Sequence, residues 1–531
     1  MLVFLCYWLL FPILTLLWRS FTDNSGAFAG IANFLAVFQT PGISQAVRHT
    51  LLMGVIVTGI TVTIAFIVAY GLTRARIFAG KPAGAVCLLP LFAPSLFPAV
   101  GLMYLFGSQG VATWMLCGAE LQGPVGIALG SIIYCLPHAV ILCITALRSI
   151  DPNLYEAART LGVGPWRQFR TITVPHAGYG LISACLVVFI LTITDFGVPK
   201  VLGGDYSMLA TEIYKQVLGM HNFALGASIS LVLMLPSVAA FLIDSWARKK
   251  QSRTFSQGRE RPLTGHALRD ICFSVGVWSI LCAQIAVFAM VIWGSFISFW
   301  PYDLGLTLDN YDFSVMGGNF RPFGNSILLA LGVAVCGPAL ISLGAYCVTR
   351  CPVPRLLSGF YRVLVLLPLS IPGTVLGLAY IFAFNRPGGW YDLLYGSLPL
   401  LILNTLIHFY TVGHLAFAAS LQTINPHYET VGFTSGVPRR ITFFRVIIPL
   451  SARTLSDISL YMFVNALTTI SALVFLYTPE TMPASVFMLQ VNETGNTAAA
   501  AAVGTLLLAL AFAARLLYSL VWISWPRKVR Y

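Results

Sequence analysis

Charge is what this sequence has least of. Only 9% of its 531 residues are Asp, Glu, Lys or Arg, and just 18 are acids, while 58% are hydrophobic and the mean hydropathy is +0.83. A water-soluble fold cannot hide that much apolar surface, so the composition excludes one and leaves a chain that crosses a bilayer many times. Alternation of apolar and polar residues is missing too; the apolar runs are continuous, which excludes a β-barrel. The eleven cysteines show no CxxC and no paired spacing, and Cys87, Cys135 and Cys185 fall inside apolar runs, where they read as small packing residues. No GxxxxGK[ST] loop occurs, so the chain has no phosphate cradle of its own. No carboxylate or His/Cys constellation recurs within the apolar runs, which leaves a membrane enzyme without its chemistry, and His138, beside Pro137, reads as a residue bonded to a neighbouring helix.

What is present is a series of runs about 20 residues long. They lie near 1–20, 50–72, 82–106, 124–147, 178–199 and 222–243, then near 271–299, 325–348, 360–384, 394–420, 455–477 and 496–524. An all-α polytopic membrane protein of about twelve helices is expected. The first run starts at Met1 with no charged flank and no small-residue cleavage pattern after it, so it reads as a span and not as a signal peptide, with room for a leader ahead of it. If both termini are cytoplasmic, the inner loops and tail hold 24 of the 31 Lys and Arg residues and the outer side holds six. That asymmetry is what the positive-inside rule requires. The net charge of +13 therefore describes loops beside anionic lipid, with no nucleic-acid groove in prospect.

The chain repeats itself. "AYGLTR" at 69–74 returns as "AYCVTR" at 345–350, and "LLPLFAP" at 88–94 returns as "LLPLSIP" at 366–372. A shift of 274 brings Ile150, Pro152, Thr160, Gly162, Val163, Phe169 and Pro175 onto Ile424, Pro426, Thr434, Gly436, Val437, Phe443 and Pro449 without a gap. Each half has six spans, an even number, so the halves are parallel repeats. The expected division is a first transmembrane domain over 1–246, a polar linker over 247–270 and a second domain over 271–531. Pro90, Pro94, Pro368 and Pro372 predict bends at equivalent places in the third and ninth spans.

The most polar repeated segment is "LYEAARTLGVGPWRQFRTITVP", 154–175, after the fourth span of the first half. Asp151 followed by Pro152 predicts a helix start and Gly162 a stop, giving a helix over about 152–161. It is too short to stand alone in water, so a surface must pack on it. Leu154, Ala157, Ala158 and Leu161 share one face by helical spacing. A second start at Pro165 leads through Trp166 and Phe169 into the fifth span. In the other half Asn425, Pro426 and Gly436 repeat the start and stop, with Tyr428, Val431, Gly432 and Ser435 on the equivalent face.

Glu156, Ala157 and Ala158, then Gly162, Ile172 and Pro175 at their spacings, resemble the EAA loop of binding-protein-dependent ABC importer permeases, with Val174 where leucine is usual. The resemblance covers nearly the whole chain and is to the subgroup in which both permease halves are fused. It implies that the loop's first helix docks on an ATPase, that two cytoplasmic ABC ATPase subunits use ATP and magnesium while this chain binds no cofactor, and that a periplasmic or extracellular substrate-binding protein delivers the cargo. It implies a bacterial inner membrane as the site. The second loop departs from the pattern: Thr430 takes the glutamate position, Val431 and Gly432 replace the alanines, and Glu429 sits one residue early. "TDFGVPKVLGG" at 194–204 and "SALVFLYTPETMPASV" at 471–486 look most like 2-aminoethylphosphonate permeases, which makes that solute the expected cargo, with iron(III) the alternative.

Polar groups at span ends are the candidates for the pathway. Thr194, Asp195 and Lys200 in the first half, and Asn465, Thr468 and Ser471 in the second, are expected to line a cavity and outer gate. There Lys200 would attract a phosphonate and Asp195 an ammonium group; a simple Asp195–Lys200 pair is the other reading. A secondary transporter with two parallel six-span halves would need buried acids or histidines for proton coupling, which the spans lack, and a channel would need no docking loop.

Overall fold

The apolar runs fold as helices because, in lipid, a backbone must satisfy its own hydrogen bonds within the segment. The computed structural model describes residues 1–116, 118, 120–251, 267–316, 319–386, 388 and 390–524. Among these, nine helices are long and apolar enough to cross a membrane, and two bent pairs bring the number to as many as 11. The expected third span completes the set in broken form, as Gly80–Cys87, a 3-10 turn Leu89–Phe92 and the apolar helix Leu96–Phe106. Most of the polar linker lies outside the described residues. The one departure from an all-helical chain among the described residues is a small antiparallel hairpin, Ile297–Phe299 with Asp303–Leu306.

Proline sets the breaks. In the ninth span the helix Arg355–Leu366 passes through a 3-10 turn at Leu367–Ser370 into Gly373–Phe384, and the two parts meet at 115°. Pro372 sits at φ −56° and ψ 143°, an extended geometry, and supplies no N–H, so the helix cannot run on. The sequence predicts a bend here, and the structure makes it a full change of direction.

The fifth and eleventh spans end earlier than hydropathy suggests. The helix from Pro165 stops at Thr194, where Asp195 turns extended at ψ 136°, and the eleventh stops at Thr468, where Thr469 does the same at ψ 138°. Residues 195–199 and 469–477 are therefore not helical continuations; they are apolar and buried in irregular segments, which a hydropathy window cannot distinguish from a span. Both helices carry a π turn in the same register, at Phe169–Thr173 and Phe443–Ile447, just ahead of Pro175 and Pro449. The eleventh also bends by 74° at Ser451.

A two-point clamp holds each irregular segment. In the first half Thr50 Oγ1 accepts from Leu209 N at 2.8 Å, and His49 Nδ1 lies 3.2 Å from Ser207 O. In the second, Ser326 Oγ accepts from Ala484 N at 2.7 Å, and Asn325 Nδ2 donates to Met482 O at 3.1 Å. The clamping residues stand at equivalent repeat positions near the start of the second and eighth spans.

Packing divides the chain into two compact units: Met1–Gly26 with Asp312–Gln490 and Leu506–Tyr531, and Ala27–Tyr311 with Val491–Thr505. The repeat halves and the packed units are thus different divisions, because the first span of each half belongs to the other half's unit. In one unit the first span packs on the end of the ninth, with Tyr380 OH donating to Trp8 O at 2.6 Å and Trp8 stacked on Phe384 at 5.2 Å. In the other, the seventh span, Ala267–Gly294, packs on the third, with Gln284 Nε2 donating to Val86 O at 2.7 Å and the Phe97 and Phe288 rings 4.9 Å apart.

Candidate functional site

The segment after the fourth span folds as its residues dictate. Asp151 Oδ1 accepts from Asn153 N at 2.9 Å, capping a helix Pro152–Thr160. The helix ends on Gly162 at φ +69°, a left-handed position that costs a residue with a Cβ, and Val163 N closes the turn by donating to Ala158 O at 2.9 Å. The second half builds the same unit: Asn425 Oδ1 accepts from His427 N at 3.0 Å, the helix runs His427–Thr434, Gly436 has φ +72°, and Val437 N donates to Gly432 O at 2.8 Å.

The two helices present matching outer faces. Leu154, Ala157 and Leu161 are exposed, with Leu161 80% accessible, and Trp166 beyond the turn is 75% accessible. Tyr428, Val431 and Ser435 occupy the same places in the second copy, flanked by Phe433 at 73%, a residue the helical-face reading passes over. Glu156 and Thr430 stand exposed at equivalent edges. Ala158 corrects the expected face: it is only 7% accessible and points into the protein's own body, and Gly432, its counterpart, packs against Thr442. The small residues thus bring the helix close to its own unit, and the larger neighbours face outward.

Glu429 is also corrected. By the ungapped register it stands where Tyr155 stands, and it is turned inward: Arg350 Nη1 lies 3.8 Å from Glu429 Oε2, with the two side chains 12% and 19% accessible. Arg350 Nη2 donates in addition to Ile424 O at 2.7 Å and to Leu421 O. In the first half Arg74 Nη2 donates to Leu147 O at 3.0 Å, and the guanidinium lies 4.6 Å from the centre of the Tyr155 ring. Tyr155 OH in turn shares a hydrogen bond with Thr173 Oγ1 at 2.8 Å. Arg74 and Arg350 close the repeated "AYGLTR" and "AYCVTR" stretches, so the signal was in the sequence as a repeat, without a role attached.

The pathway candidates fall in both units: Thr194, Asp195 and Lys200 in one, Asn465, Thr468 and Ser471 in the other. Thr194 Oγ1 donates to Ile190 O at 2.8 Å, Thr468 Oγ1 to Val464 O at 3.0 Å, and Asn465 Nδ2 to Tyr461 O at 2.8 Å; each is bonded back onto its own helix. Asp195 accepts from Gly197 N at 3.3 Å and Val198 N at 3.0 Å, capping the short helix Gly197–Leu202. Asp195 and Lys200 do not pair. Lys200 Nζ instead lies 2.7 Å from Glu493 Oε1 and 4.8 Å from the centre of the Tyr214 ring. Glu493 lies some 290 positions away in sequence, which hid it from local reading. Ser471 Oγ fills the space that a Cβ on Gly373 would need, with Ala472 N 3.1 Å from that point.

Residues 62–253 and 341–521 each match the model of a family described as binding-protein-dependent transport system inner membrane component. A ferric transport system permease protein FbpB of Actinobacillus pleuropneumoniae is 28% identical over 82% of this chain and 65% of its own length. A putative ferric transport system permease protein FbpB 1 of Haemophilus influenzae is 27% identical over 90% of this chain and 76% of its own length. A spermidine/putrescine transport system permease protein PotC homolog of Mycoplasma genitalium is 29% identical over 40% of this chain and 72% of its own length. The chain spans just under two thirds of the first of these relatives.

Proposed function

The chain belongs to the family of binding-protein-dependent transport system inner membrane components, with the family domain present twice, and from that membership we propose that it forms the translocation pathway of an ATP-driven importer. The observation that carries this reading is the doubled short helix after the fourth and tenth spans, each capped, each stopped at a left-handed glycine, and each offering an exposed apolar face. A helix of nine residues or fewer is held by packing, and an exposed row of Leu154, Ala157 and Leu161 beside Trp166 is suited to a groove on a partner. We assign that groove to the ATPase, one subunit per helix, on the cytoplasmic side, with both termini there too. ATP and magnesium act in those subunits, and a binding protein delivers the cargo on the opposite side.

Iron(III) is the cargo we favour. The relatives that run along both halves carry ferric transport in their names, and the side chains on which a phosphonate reading relied are committed elsewhere: Lys200 to Glu493, and both oxygens of Asp195 to backbone N–H groups. 2-Aminoethylphosphonate stays as the second reading, on the resemblance of residues 194–204 and 471–486.

The test is uptake into proteoliposomes holding this chain, its ATPase and a loaded binding protein, with radiolabelled ferric iron and radiolabelled 2-aminoethylphosphonate in parallel. Accumulation of iron that requires ATP supports the reading. Uptake of the aminophosphonate alone would transfer the assignment to the second cargo, and accumulation driven by an ion gradient with no ATPase present would end the importer reading.

A further inference from the structure

We propose that Arg74 and Arg350 are positioning residues that fasten each docking helix to the ends of two spans, so that a push on the helix moves those spans as one body. The inference rests on the importer reading above and adds a role for residues that it leaves unassigned.

Each arginine is the last residue of its helix, Pro41–Arg74 and Arg321–Arg350. From there each guanidinium reaches the final turn of a second long helix, Leu147 O in one half and Leu421 O with Ile424 O in the other. Carbonyls at a helix C-terminus have no partner within the helix and carry partial negative charge, so a cation there is doubly suited. The third contact is with the docking helix itself, and here the halves differ. Arg74 lies over the face of Tyr155, while Arg350 is paired with Glu429, the residue at the Tyr155 place. A ring face and a carboxylate share little chemistry except that a planar guanidinium binds both. Two unlike partners at one place, served by one arginine, mean that the retained feature is the tether itself.

Burial supports a mechanical role. Arg350 and Glu429 are 12% and 19% accessible, so the pair is shielded from the solvent that makes surface ion pairs weak. Tyr346, one turn back on the helix that Arg350 ends, is the other polar side chain set against Glu429. The first-half tether continues into the fifth span through the Tyr155–Thr173 hydrogen bond of 2.8 Å. Without the arginine the docking helix keeps its caps and its outer face, so an ATPase can still seat; what is lost is the link from that helix to the spans.

The prediction is therefore a loss of coupling, not of assembly. In proteoliposomes with ATPase and binding protein, Arg350→Ala should raise the ATP hydrolysed per solute accumulated by about fivefold, with the amount of bound ATPase unchanged. Arg350→Lys should recover part of the ratio, and the exchange Arg350→Glu with Glu429→Arg more of it. Should Arg350→Ala fail to fold, Glu429→Gln and Tyr155→Leu, which leave both arginines in place, carry the same expectation. An unchanged ratio in variants that assemble would overturn the tether. Cross-linking of Leu161→Cys to the ATPase is the separate control: its absence overturns the docking assignment, and with it the tether, whereas cross-linking with an unaltered ratio overturns the tether alone.

Discussion

Arg350 and Glu429 meet 3.8 Å apart at the place where Arg74 covers Tyr155 in the other half. Glu429 is therefore no displaced copy of Glu156. The position of Glu156 is taken by Thr430, exposed and uncharged, while Glu429 looks inward. The second docking surface presents Tyr428, Val431 and Phe433 without an acid, and an ATPase contact built on it is an apolar one.

Leu161→Asp tests the docking surface. Leu161 is 80% accessible and makes no core, so a charge there should leave the thermal midpoint of the purified chain in place while lowering co-purified ATPase by about tenfold, the loss expected when an apolar anchor is replaced by a group that must be desolvated. Ala158→Asp should do the reverse and lower the midpoint first, because Ala158 is buried against its own unit. Equal ATPase recovery with Leu161→Asp would remove this face from the interface.

The clamps make a stability prediction. Thr50 and Ser326 are buried, and each satisfies one backbone N–H, of Leu209 and Ala484. Thr50→Val and Ser326→Ala should each cost about 1–3 kcal/mol, because a buried donor is left without an acceptor. Thermal unfolding in nanodiscs reads this directly, and a midpoint within error of the parent for both would show that the segments after the fifth and eleventh spans are held by other contacts.

Lys200 and Glu493 should be energetically coupled. Their side chains are 28% and 35% accessible, so solvent screens the pair and a double-mutant cycle with alanine should give roughly 0.2–1 kcal/mol, shrinking as salt is raised. A coupling of zero at low salt would mean that the 2.7 Å contact contributes nothing to the unit.

Asp195 separates a structural carboxylate from a cargo-binding one. As a cap for Gly197 N and Val198 N it should be replaceable by Asn, which accepts in the same way, whereas Ala should cost about 1 kcal/mol and disturb the segment behind it. Uptake at low substrate is the measurement. If Asp195→Asn loses as much uptake as Asp195→Ala, the charge acts on cargo and the capping account fails.

Much of this was legible in the residues. Strong caps and stops, Asp151 with Pro152 and Gly162, fixed the docking helix to within a residue or two because they act locally. The repeat located its partner and marked both arginines. Hydropathy failed at 195–199 and 469–477, since apolar composition reports burial and not helical continuity. The face assignment failed at Ala158 because helical spacing groups neighbours without saying which edge of the stripe turns inward. Glu493 was beyond reach for another reason: a pair between residues hundreds of positions apart leaves no local mark.

The Trp8–Tyr380 hydrogen bond has a consequence for how the chain is made. The helix Leu2–Ser20 enters the bilayer at the start of synthesis, yet the surface it rests on, Gly373–Phe384, emerges only after some 350 further residues have been threaded. During that interval the leading helix waits in lipid with its destined neighbour still on the ribosome. A nascent chain arrested before Gly373 should therefore leave this helix open to capture by insertion chaperones, and release should follow as soon as the ninth span is in place.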